Sequence, residues 1–165
     1  MYLFDASVLI TANNTYYPVD DIPEFWDWIS HQGTIGNIKI PIEILEEILA
    51  GTRKDDLLVA WMTDNKEALR LREDVNPGLV NTIVTQGYAA DLTDDELIEI
   101  GRDPFLIAYG LANPAERCVV TTEPSAPSKQ RANRRIPDVC KQFAVPCQNP
   151  FTVYKTLGFK TNWRR

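Results

Sequence analysis

Tyr2-Leu3-Phe4-Asp5-Ala6-Ser7-Val8-Leu9-Ile10 is the stretch on which the reading of this chain turns. Three large apolar residues read as a short buried strand that stops at an acid, Asp5. A helix follows at once over residues 7–12, with Ser7 near its cap. An acid at such a junction lies beyond the carboxyl end of a strand, where open α/β sheets collect their ligands.

The same grammar recurs downstream. Residues 38–40 read as a strand; Pro41 suits the first turn of a helix and Gly51 its stop. That helix contains Ile42-Glu43-Ile44-Leu45-Glu46-Glu47-Ile48-Leu49. Glu43, Glu46 and Glu47 fall at i, i+3 and i+4, on one face, against a stripe of Ile42, Leu45 and Leu49. Like charges so spaced cost a helix a few tenths of a kcal/mol per pair; each Glu alone also suits a solvated face. Cys118-Val119-Val120-Thr121-Thr122 is a β-branched run, hence a buried strand, and it delivers Glu123 to the same sheet edge as Asp5. Asp103-Pro104 opens a further helix, on which Asp103 is a plain N-cap or a rigidly held ligand. Asp138, near the start of a helix over residues 136–143, is a capping acid or a ligand. Two acids at one sheet edge repel unless a cation lies between them.

The other segments fill in the layers. Phe25, Trp26, Trp28 and Ile29 give a helical apolar face, and residues 55–65 a helix with Leu57, Leu58, Trp61 and Met62 inward. Residues 13–17 are turn-like, residues 75–88 helical, and Thr93-Asp94-Asp95-Glu96 a capping box. Residues 145–147 form an edge strand and residues 151–157 a last helix. Strands alternating with helices predict an α/β fold, a parallel sheet covered on both faces.

Composition excludes several classes. At 165 residues, 44% apolar, the chain suits one domain with a real core. No apolar run approaches the roughly 20 residues of a membrane span, and the start of the chain carries no signal peptide. Cys118, Cys140 and Cys147 form no C-x-x-C pair, and His31 is the single histidine. Thiolate or imidazole metal sites are therefore unsupported, reduced thiols point to a cytoplasmic setting, and any metal must take oxygen ligands. His31 reads as a helix-end residue, and Tyr16, Tyr17, Phe25, Trp26 and Trp28 as core. No phosphate-binding glycine loop or nucleophile elbow occurs. Residues 1–100 hold 19 acids and 6 bases, whereas residues 101–165 hold 4 acids and 11 bases. The basic stretch Lys129-Gln130-Arg131-Ala132-Asn133-Arg134-Arg135 suits phosphate contact or a solvated loop.

In this order the motifs resemble the PIN-domain superfamily, closest to VapC-like toxins and their PIN-like relatives. Residues 2–10 look like its opening strand with D-x-[SN]. Glu47-Ile48-Leu49-Ala50-Gly51 is similar to E-L-L-x-G, Asp103-Pro104-Phe105-Leu106-Ile107-Ala108 to D-x-x-I-A, and Val119-Val120-Thr121-Thr122-Glu123 to a strand ending in T-x-D. The resemblance implies a three-layer α/β/α sandwich over residues 1–158, followed by a basic tail, 159–165. It implies Asp5, Glu47, Asp103 and Glu123 as catalytic metal-binding acids, with Ser7 and Thr121 as supporting hydroxyls. The fourth acid is Glu where the family commonly has Asp, so Asp138 is the alternative acid to complete the set, and Glu43 and Glu46 are additional acids. The implied activity is hydrolysis of RNA phosphodiesters with Mg²⁺, or alternatively Mn²⁺. A small antitoxin and self-association are implied partners. Lys129, Arg131, Arg134 and Arg135 would hold the RNA backbone. Two other readings stay open: a non-catalytic PIN-like module binding RNA or protein, and a haloacid-dehalogenase-like phosphatase, which lacks its D-x-D here.

Overall fold

The computed structural model describes residues 1–50 and 57–164. Its elements run β1 (Tyr2–Phe4), α1 (Ala6–Thr11), α2 (Pro23–Thr34), β2 (Ile38–Lys39), α3 (Ile42–Leu49), α4 (Leu57–Leu69), α5 (Pro77–Thr82), α6 (Asp94–Ile100), α7 (Asp103–Ala112), β3 (Cys118–Val120), α8 (Ile136–Gln142), β4 (Cys147–Gln148) and α9 (Pro150–Thr156). Wide π-helical turns extend α1 over Ala12–Tyr16 and α5 over Ile83–Tyr88, and Arg131–Asn133 form a short 3₁₀ turn.

The four strands make one sheet in the order β2-β1-β3-β4. Every neighbouring pair is parallel, with Tyr2 opposite both Ile38 and Cys118, and Val119 opposite Cys147. Parallel strands need helical crossovers, and these cover both faces. Leu3, Phe4, Val119 and Val120 are accordingly fully buried. The fold is α/β, a three-layer α/β/α sandwich, as the alternation of strands and helices predicts. No described helix is long and apolar enough to cross a membrane.

The aromatic face of α2 is core: Phe25, Trp26 and Trp28 are buried, while Tyr16 is 49% exposed. Residues of the C-terminal tail pack on this helix. Phe159 meets Phe25 and Trp28, the Trp163 indole donates to the Glu24 carbonyl (3.0 Å), and Arg164 pairs with Asp27 (2.9 Å). His31, in the last turn of α2, lies beside Trp163.

Several local expectations shift. The buried stripe of α3 is Ile44, Leu45 and Ile48, with Ile42 and Leu49 only partly buried against the same core. Leu57 is 48% exposed, while Leu58 and Met62 face inward. The strand expected over residues 118–122 ends at Val120, since Thr121 turns its side chain to Asp5. Residues 13–17 are mostly π-helical rather than a plain turn. The capping box of Thr93 and Glu96 is present. Gly51 and the first residues of the expected 55–65 helix lie outside the described residues.

Candidate active site

β1 ends at Asp5, whose amide donates to the Val120 carbonyl (2.9 Å), so the acid sits where β1 and β3 leave the sheet together. Asp5 is only 7% exposed. Its carboxylate accepts from the Ser7 hydroxyl and from Thr121 Oγ1 (3.0 Å). The Thr122 amide donates to Ser7 Oγ (3.3 Å) and the Glu123 amide to Thr121 Oγ1 (3.2 Å). Ser7 and Thr121 thus fix Asp5 and tie the two strand ends. Burial pushes the Asp5 carboxyl above its ordinary value; the two hydroxyls oppose the shift and Glu123 adds to it.

Asp103 is the first residue of α7, and the N-cap is Arg102, with no side-chain capping bond. Asp103 is therefore not the capping acid. Burial, and then repulsion from Asp5, Glu123 and Glu47, push its carboxyl up to about 8, with Tyr88 working the other way. Glu47, exposed at the rim on α3, is also raised, by partial desolvation first and Asp5 second, against the pull of Arg102. Asp5, Glu47 and Asp103 thus come from three elements to one corner. Glu46, Glu47, Glu99, Arg102 and Asp103 line an open depression of about 430 Å³ there.

Glu123 borders the corner but is engaged elsewhere. It accepts from Arg135 Nη1 (3.0 Å) and from the Ile136 amide at the start of α8 (2.8 Å). Asp138 is likewise engaged by partners of its own. Burial acts against its charge, but bonds from Ser125 Oγ and the Ala126 amide (2.7 Å), with Arg134 and Lys141 nearby, outweigh it and hold the carboxyl below its usual range. Glu43 is not among the residues that line this depression: it lies against Tyr109, with Oε2 buried and without a well-formed hydrogen bond.

The arginines of the basic stretch are bound within the fold. Arg131 reaches Asp91 (2.8 Å) and Glu96 (2.7 Å), and Arg135 holds Glu123. Arg134 donates to the Gly87 carbonyl and to Gln142 Oε1 (2.6 Å). Lys129 is exposed.

Two residues of the corner escape a reading of the sequence. Arg102 is adjacent to Asp103 in sequence, which is its only signal. Tyr88 is 6% exposed, its phenolic oxygen is buried without a hydrogen-bond partner, and Asp103 and Glu123 lie among its nearest charges. Nothing local marks it.

Hard carboxylate oxygens that repel one another, beside an unsatisfied buried phenol, suit a divalent cation in their chemistry. Among the described residues, no group of three or more acids, thiols or imidazoles is placed to hold an ion as it stands. Cys118, Cys140 and Cys147 are free thiols.

No curated protein matches the chain. Residues 2–161 match a family described as a domain of unknown function, DUF4411. Because that match runs over nearly all of the sandwich and the corner it builds, the chain belongs to the DUF4411 family.

Proposed function

We propose that the chain is a metal-dependent ribonuclease of the PIN-like kind, acting in the cytoplasm as the toxin of a toxin–antitoxin pair. The observation that carries this reading is Asp103, a partly buried acid whose strongest charged neighbours are three further carboxylates. A fold gains nothing from crowding carboxylates into one corner with too little positive charge among them. The order of motifs along the chain supports the same reading. A bound Mg²⁺ or Mn²⁺ supplies Lewis acidity, lowering the pKa of water. Asp5, Asp103 and Glu47 would hold it through oxygen. Ser7 and Thr121 orient Asp5 and oppose the rise that burial imposes on its carboxyl, and Arg102 offers positive charge at the rim, where a phosphate would enter. Three free thiols suit a reducing compartment. A small antitoxin would cover the depression, and self-association is a further element of this reading.

The test incubates the purified chain with structured RNA and Mg²⁺ or Mn²⁺, with and without chelator. Chelator-sensitive cleavage is expected, with a loss of at least about 100-fold in Asp5→Asn and Asp103→Asn, while both variants melt no lower than the parent because repulsion is relieved. Cleavage that survives chelation or both substitutions refutes the proposal.

The Glu123–Arg135 pair favours a second reading, a non-catalytic module that binds RNA or protein. It predicts RNA binding without cleavage in either metal.

A further inference from the structure

The π-helical turn at Ile83–Tyr88 has a specific construction. A π turn carries an extra residue into the helix and often marks a functional position. Here it ends on Gly87-Tyr88. A Cβ at Gly87 would meet Val139 Cγ1 at 2.8 Å and Phe143 Cε2 at 3.0 Å, so only glycine lets the turn lie this close to α8. Arg134 grips the Gly87 carbonyl, and Gln142 Nε2 donates to the Gln86 carbonyl (2.8 Å). Three contacts from one side thus fix the backbone that carries Tyr88. The ring is buried, its hydroxyl makes no well-formed hydrogen bond, and the carboxylate it bears on is that of Asp103. A buried donor left unmatched is unfavourable, and a structural tyrosine would be replaced by phenylalanine at no loss.

We propose that Tyr88 is a positioning residue of the acidic corner, its phenol donating to one oxygen of Asp103 and leaving the other oxygen for a divalent cation. The inference rests on the metal-site reading of the previous subsection. Carboxylates that ligate metals are themselves held by outer hydrogen bonds, and removing such a bond typically weakens metal affinity by about 10–100-fold. Tyr88 offers that bond from a rigid support.

Mn²⁺ binding to the full chain, followed by calorimetry and by the loss of free-ion paramagnetic signal, tests this with Tyr88→Phe. The substitution keeps the ring and removes one oxygen. Mn²⁺ affinity is expected to fall at least tenfold, while the melting temperature in chelator is unchanged or higher. RNA cleavage, where measured, should lose kcat with KM unchanged. Equal Mn²⁺ affinity in parent and variant overturns the role of Tyr88 and leaves the metal site standing. A lower melting temperature in chelator with unaltered affinity assigns Tyr88 to packing and also overturns it. A parent chain that binds no Mn²⁺ overturns the metal reading itself, and this proposal with it.

Discussion

Asp103 couples folding to pH at the level of one residue. Its carboxyl ordinarily titrates near 3.8, but in the fold it is pushed up to about 8. Between those values the native chain keeps a proton that the unfolded chain has lost. Stability contributed by the neutral acid is therefore full below pH 3.8 and declines as pH rises towards about 8. The slope is at most about 1.4 kcal/mol per pH unit. Urea denaturation in chelator across this window should show the decline, and Asp103→Asn should flatten it; an equal slope in the variant refutes the assignment. Glu96 works in the opposite sense. The Arg131 hydrogen bonds, the Thr93 amide and the charge of Arg131 hold it near 2, so its contribution is present above 4.5 and fades as pH falls. Asp5 was legible in the sequence because a strand that stops at an acid is a local pattern. The diversion of Glu123 to Arg135 was not, because both residues are charged, mobile in type and separated by a loop. The role of Tyr88 depends on a turn whose position no local pattern specifies.

Elements were more legible than their ends. Apolar periodicity located most helices, and β-branched runs located the strands, since both signals are local. Rotation and turn width are set by neighbours that no local pattern records: α3 buries Ile44 and Ile48, and the segments after α1 and α5 widen into π turns. The packing of α7 on β3 shows how tightly such neighbours constrain an element. A Cβ at Gly110 would meet Val145 Cγ1 at 2.7 Å and Val119 Cγ2 at 3.0 Å. Gly110→Ala should therefore destabilise the chain by about 1–3 kcal/mol, read as a lower urea midpoint with unchanged slope. An unshifted midpoint would mean that α7 has room to move away, and with it Asp103.

At the scale of the whole molecule, the uneven distribution of charge has an internal use. Arg117 pairs with Glu73, Arg131 with Asp91 and Glu96, and Arg164 with Asp27, each joining the basic part of the chain to the acidic part. A net count by segment reads as a nucleic-acid surface; only the folded chain reveals how much of it is met within. The tail joins this closure through Phe159, set edge-on to Phe25 and Tyr17. Phe159→Ala should cost about 2 kcal/mol of folding stability by urea titration. An unchanged value would mean that the tail covers α2 without holding it. The central place of β1 has a further consequence for biosynthesis. Asp5 and the threonine that holds it, Thr121, lie 116 positions apart. A ribosome extends a chain by roughly 5–20 residues per second, so the nascent polypeptide carries an isolated acid for several seconds before β3 and Thr121 emerge. The corner is assembled late in synthesis, and a message cut short ahead of β3 leaves Asp5 without the threonine that orients it.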